Sequence, residues 1–360
     1  MHKGPRGEEM SSICRPQGKS SSPLPVTLVA AESRHPQRLK SHDQDAHENA
    51  GSTHITGVHN EQNSSAETAL APLIFEADPV ESADTSRLAT IAKLLGDESV
   101  LVKDELRRQF HAAGKRGRPL LNRAKRSEDP RTRGHARTLL LELDRAEVRR
   151  RLISFASRTE IDLEAGLLLL ARLQDPSLDA RPYLRTLDAF ADEVIRLSAD
   201  CGTELERGKI LTDYLSQTVG FNGTDADYHH PDNVHLHRVI ETRSGLPLSL
   251  CAVHLLVARR VGLRASILPL PGHVMLRIHG LRRSRIIDCF HGGRARSQGA
   301  LMAYLSSHKL GFEPNWFRAA SDKNLFLRQV NNLVQTYSER GFPSEIETLL
   351  DVLEAADRSS

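Results

Sequence analysis

The stretch that decides the fold is PLSLCAVHLLVARRVG (247–262), followed by RASIL (264–268), HVMLRIH (273–279) and RIIDC (285–289). Pro247 suits the first turn of a helix and Gly262 its C-terminal cap. Between them apolar residues fall on every side of the helix axis, which predicts a central, buried helix. The next runs are short and rich in β-branched residues, and PLPG (269–272) and GLRRS (280–284) supply turns between them. This predicts a small antiparallel sheet that ends at FHGG (290–293). A turn about residues 281 and 282 makes positions that sum to about 563 face each other, which sets His273 diagonally across from Asp288, within hydrogen-bonding reach.

Working outward, residues 159–219 read as helices. TEIDLEAGLLLLARLQDP has an acidic start suited to the helix dipole and stops before Pro176. In the next helix Tyr183, Leu184, Leu187, Phe190, Val194, Ile195 and Leu197 recur near helical spacing. The tail NLFLRQVNNLVQTYSERGFPSEIETLLDVLEAA reads as two antiparallel helices broken at Gly341-Phe342-Pro343. Residues 1–72 are polar without apolar periodicity and are expected to form a disordered leader.

The segment from 73 to 157 is also helical in pattern. Its Gly-Asp break at 96–97, its Gly-x-x-x-x-Pro-Leu-Leu step and its Glu-Asp-Pro-x-x-Arg start resemble a pair of HEAT-type repeats. A basic run lies between Lys115 and Arg137. It is the one hint of a nucleic-acid or acidic partner, and a solvated helix face is the plainer reading.

Composition narrows the classes. The chain has 360 residues, a net charge of +3 and 4% aromatics. That charge is too balanced to demand nucleic acid or an anionic membrane, and so few rings argue against a stacking-based single-strand binder. No apolar run is long enough to span a membrane. The four cysteines, Cys14, Cys201, Cys251 and Cys289, have no metal or pairing spacing and read as reduced thiols of a cytoplasmic protein. No Gly-rich phosphate loop or Gly-x-Ser-x-Gly elbow is present, and no cofactor is expected.

A buried helix followed by a His strand and an Asp strand resembles the papain and transglutaminase order. In that plan a Cys opens the helix, the His deprotonates it and the Asp orients the His. The chain more specifically resembles the SirB-type transglutaminase-like proteins of bacteria. The resemblance rests on 161–194, 211–250, ARRVGL (258–263), PGHVMLRI (271–278) and IIDCFHGG (286–293), with NNLVQTYSERGF (331–342) similar to a tetratricopeptide-like tail. It implies a mostly helical α+β chain with a transglutaminase-like core at 158–310 and a helical tail at 320–356. It places Tyr228, Asn233, Pro247 and Gly272 in or around the cleft, beside His273 and Asp288. It brings no defined activity.

The nucleophile position reads Gly245-Leu246-Pro247, with Pro where a working transglutaminase carries Cys. Three readings follow. The favoured one is a degenerate domain that acts by binding another, unidentified protein, with His273 and Asp288 vestigial or in a binding role. The second is a thiol protease or transglutaminase using Cys251, one turn deeper on the same helix face, with His273 and Asp288. Cys289 is expected to point to the sheet face opposite Asp288. The third is a metal-dependent hydrolase built on the loop YHHPDNVHLH, in which His229, His235 and His237 would ligate and His235 and His237 share one face of a strand.

One expectation is directly measurable. Limited proteolysis should remove the leader and leave a stable fragment that starts between about residues 73 and 85, because the leader's composition cannot support a core.

Overall fold

The structure is a computed structural model that describes residues 82–224, 227–309 and 313–359. The leader expected at 1–72 lies outside the described residues. The architecture is α+β and mostly helical.

Helix α1 (Ser82–Ala92), α2 (Val100–Ala113), α3 (Arg118–Ala124) and the 27-residue α4 (Pro130–Ala156) come first. Asp129 caps α4 by accepting from the amides of Arg131 and Thr132. The first half of α4 packs Leu139, Leu140 and Leu143 into a small core with Leu95, Leu106, Phe110 and Leu121. Its second half carries Val148, Leu152 and Phe155 into the main core. The basic run is partly neutralised here, since Arg118 pairs with Asp144 and Arg131 with Glu98.

Helix α5 (Leu163–Gln174) is buried from Leu163 to Arg172, and Asp162 caps it. Helix α6 (Arg181–Leu197) buries Leu187, Phe190, Ala191 and Val194. Ile195 and Leu197, also near helical spacing, are 48% and 42% exposed, because their positions have turned past the buried stripe. Helix α7 (Glu204–Asp213) starts with a capping box between Thr203 and Glu206 and approaches the sheet at Gly208, where a Cβ would come within 2.6 Å of Ile278.

A short parallel pair, β1 (Asn222–Gly223) and β2 (Ser244–Gly245), brackets helix α8 (Leu236–Thr242) and feeds the central helix α9 (Pro247–Arg260). Every residue of α9 from Pro247 to Ala258 is buried, as its all-round apolar surface predicts. Gly262, at φ +70°, ends it.

The sheet is an antiparallel meander of β3 (Ala265–Leu268), β4 (Met275–His279), β5 (Ser284–Asp288) and β6 (Arg294–Arg296). Leu276 pairs with Ile287 and Arg277 with Ile286, the register expected from the turn. Leu276, Ile278 and Ile287 pack in the core that holds α9. The fourth strand was not expected. Gly292 and Gly293, both at φ +70°, reverse the chain after β5 and return it along that strand.

Helix α10 (Gln298–Ser307) lies on the other side of the sheet, with Leu301 against Leu270 and Met275. Helices α11 (Asp322–Arg340) and α12 (Pro343–Asp357) pack together across Gly341, which sits at φ +73°. Leu325, Phe326, Val330 and Leu333 of α11 enter the core of α9, and Phe326 meets Phe155 edge-on at 5.4 Å. Gln329 donates to the Val234 carbonyl at 2.6 Å and to Ser249 Oγ at 2.8 Å.

His254 sits fully buried on α9, with Nδ1 2.8 Å from the Leu250 carbonyl and Nε2 3.2 Å from Ser216 Oγ. Burial pushes its imidazole down to about 4, against the opposing backbone hydrogen bond. An unfolded histidine titrates near 6.5, so this group's stability is complete above that pH and is lost as pH falls toward about 4. Urea unfolding between pH 7 and 4.5 should therefore show stability falling by about 1.4 kcal/mol per pH unit for this one site. The slope should decrease in His254→Asn.

Candidate functional site

The site is built around Asp288, at the end of β5 and 2% exposed. His273 Nε2 donates to its Oδ1 at 3.1 Å. His291 Nδ1 donates to Oδ2 at 2.9 Å, and the His291 amide to Oδ1 at 3.2 Å. Arg296, from β6, adds Nε and Nη2 on Oδ2 at 3.0 and 2.8 Å. Burial alone would push this carboxyl up. The hydrogen bonds and charge of His273, with Arg296 and His291, outweigh it and hold the group well below the usual carboxylate range.

His273 lies two residues before β4 rather than at its start, in the turn made by Pro271 and Gly272. Gly272 is at φ +68°, and a Cβ there would stand 3.1 Å from Tyr304 Oη. That hydroxyl donates to the Pro271 carbonyl at 2.9 Å. On the other side Arg328 of α11 donates to the Leu270 carbonyl at 2.8 Å. The turn that presents His273 is therefore clamped from both α10 and α11.

A cleft of about 170 Å³ opens beside it, lined by Tyr228, Pro247, Gly272, His273, Arg328 and Gln335. His273 thus meets Asp288, as their spacing predicts, and the cleft joins His273 to the N-terminus of α9 at Pro247. Asn233 is buried beneath the rim. Its Nδ2 donates to the carbonyls of Asp227 and Tyr228, and its own carbonyl accepts from the Leu246 amide at 2.8 Å. It ties the loop to the start of the central helix.

The thiols sit elsewhere. Cys251 is fully buried, and its Sγ donates to the Val274 carbonyl at 3.6 Å. Among the described residues no hydrogen bond joins it to His273. Cys289 points away from Asp288 and meets Cys251, and burial together with that neighbour pushes its thiol well up. Cys201, Cys251 and Cys289 are all unpaired; Cys14 lies outside the described residues.

The histidine loop differs from its expected form. His235 stands at the residue before α8 and His237 in its first turn, so the two stand on a helix and not on one face of a strand. His235 Nε2 lies 2.8 Å from Tyr337 Oη, and burial pushes it down to about 3. His237 is buried edge-on to Tyr183, and His229 pairs loosely with Glu339 at 3.6 Å. These side chains do not converge. Among the described residues the group able to share an ion is His273, Asp288 and His291, whose ligand atoms lie within 4.8 Å of one another. The Arg296 guanidinium on the same carboxylate opposes a cation there.

His291, Arg296, Tyr304 and Arg328 escaped the sequence reading. The usable signal was Gly292-Gly293, which marks a turn after β5; Arg294-Ala295-Arg296 is too short and polar to read as a strand. Nothing near Arg328 points to a cleft some 55 residues upstream in sequence.

Residues 181–331 match the model of the transglutaminase-like superfamily, so the chain carries a transglutaminase-like domain. A UPF0162 protein of Xylella fastidiosa strain 9a5c is 27% identical over 184 residues, which cover 49% of this chain and 66% of that protein. The F-box only protein 21 of Mus musculus is 25% identical over 148 residues, 39% of this chain and 23% of its own length. This chain therefore spans under two thirds of the curated relatives it matches. No solved structure matches it, and no described helix is long and apolar enough to cross a membrane.

Replacing Asp288 with Asn removes the charge that three donor side chains share. The expected loss is about 2 kcal/mol at pH 7, read by urea unfolding. A carboxyl held low in the fold stabilises above its unfolded value of about 3.9 and stops doing so as pH falls through its folded value, so the gap between wild type and Asp288→Asn should narrow in acid.

Proposed function

We propose that this chain is a SirB-type transglutaminase-like protein that acts by binding another protein, without standard Cys-based acyl transfer. One observation carries the reading. At the N-terminus of α9, where the transglutaminase plan needs a thiol facing the His–Asp pair, the cleft wall is Pro247. Proline has no nucleophile, and both nearby thiols are buried in the core.

What remains is a preformed polar recess. His273 supplies a ring, Arg328 a charged donor and Gln335 an amide. A recess of about 170 Å³ takes one side chain or a chain end of a partner. Broader contact surface is available within the region read as HEAT-like, where Leu94, Val100 and Leu101 are 48%, 70% and 81% exposed. The tail at 320–356, read as tetratricopeptide-like, supplies Arg328 to the recess. A cytoplasmic setting suits its reduced thiols.

The test combines a thiol-directed alkylating probe with an acyl-donor substrate. The wild type should show neither stoichiometric labelling of Cys251 under native conditions nor turnover. Pro247→Cys should create a rapidly alkylated thiol, since the helix N-terminus and His273 both favour thiolate. Wild-type turnover that disappears in Cys251→Ser would replace this reading with an enzyme whose nucleophile is relocated.

A further inference from the structure

The far side of the sheet holds a second recess of about 570 Å³, separate from the Pro247 cleft. Arg277, Arg283, Arg285 and Arg296 line it, and no Asp or Glu does. The strand register explains why they gather. Arg277 pairs with Ile286, and Ile286 with Arg296, so one rung across three strands reads Arg-Ile-Arg. The two arginines face the same side about 10 Å apart, two strand spacings, with the isoleucine between them as an apolar floor. Phe317 closes one wall.

The charges here are poorly compensated. Among the described residues Arg277, Arg283 and Arg285 form no ion pair with a carboxylate. The Nε of Arg277 is buried without a hydrogen-bond acceptor. A half-desolvated guanidinium that lacks a counter-charge is unfavourable, and like charges brought together across adjacent strands add to the cost. An arrangement of this kind is relieved by an anion that reaches several guanidinium forks at once.

We infer that this recess is a binding site for a phosphate-bearing small molecule of nucleotide size. Phosphate concentrates negative charge on oxygens that match the planar guanidinium fork. The volume falls in the range of about 300–1,000 Å³ typical of small-ligand sites. The single lining aromatic ring, Phe317, favours a compact ligand over a nucleic-acid strand, which needs several stacking platforms. Arg296 also links this recess to the His273–Asp288 pair, because the guanidinium that borders it holds Asp288 Oδ2. The inference does not depend on the protein-binding reading of the Pro247 cleft.

The test is titration calorimetry on the full chain in low salt, with inorganic pyrophosphate and ATP as probes. One-to-one binding of at least one probe is expected. The double variant Arg277→Gln/Arg283→Gln, checked by circular dichroism for its fold, should weaken binding tenfold or more. Arg137→Gln, which removes an exposed charge on α4, should leave it unchanged. Absence of binding by both probes at millimolar concentration overturns the inference, as does equal weakening by Arg137→Gln. Binding of a twelve-nucleotide RNA more tightly than either probe, with the same arginine dependence, overturns it in favour of a nucleic-acid surface. Should the double variant fail to fold, Arg285→Gln alone is titrated, and an unaltered affinity in it counts against the site.

Discussion

The structure depends on the complete burial of α9. A helix with apolar residues on all sides gains from burial only if every side is covered, at about 25 cal/mol per Å² of apolar surface removed from water. No single layer does that. The sheet covers one side with Leu276, Ile278 and Ile287, α11 covers another with Leu325, Phe326 and Val330, and α5 and α6 complete the shell. The cleft follows from this enclosure. Where the chain enters α9 at Pro247, the shell is left open between the Tyr228 loop, the Gly272 turn and α11.

Asp288 is the electrostatic counterpart of that apolar centre. A carboxylate only 2% exposed survives because donors from three separate segments converge on it: His273 before β4, His291 after β5 and Arg296 on β6. The network holds the sheet's last turn against the cleft and fixes the face that His273 presents. An isolated buried charge would be costly, whereas one with its lone pairs filled is a rigid fixture. It leaves the His273 ring oriented, with its Nε2 occupied.

Legibility in the sequence followed the strength of local patterns. α9 could be read because apolar residues on all sides leave few alternatives to a buried helix. The pairing of Arg277 with Ile286 could be read because a short turn sets the register of a hairpin. β6 could not, since Arg-Ala-Arg carries no apolar alternation and is held by partners and not by propensity. His235 and His237 were placed on a strand because two residues at i and i+2 do not distinguish a strand from the first turn of a helix. Arg328 reaches the Gly272 turn through tertiary packing alone. Ile195 and Leu197 show the converse, apolar residues near helical spacing that the rest of the fold leaves uncovered.

Helix α4 has a consequence for how the molecule loosens. Its 27 residues run through two cores of unequal size, with Leu139, Leu140 and Leu143 in the smaller and Val148, Leu152 and Phe155 in the larger. The smaller core holds few side chains, so its helices belong to the low end of the stability spectrum and open without unfolding the rest. When they do, the amides of the first turns of α4 lose their tertiary cover while those near Phe155 keep it. Protection against hydrogen exchange therefore grades along a single continuous helix, and the boundary between two cooperative units falls between Leu143 and Val148, inside an element of secondary structure instead of in a loop.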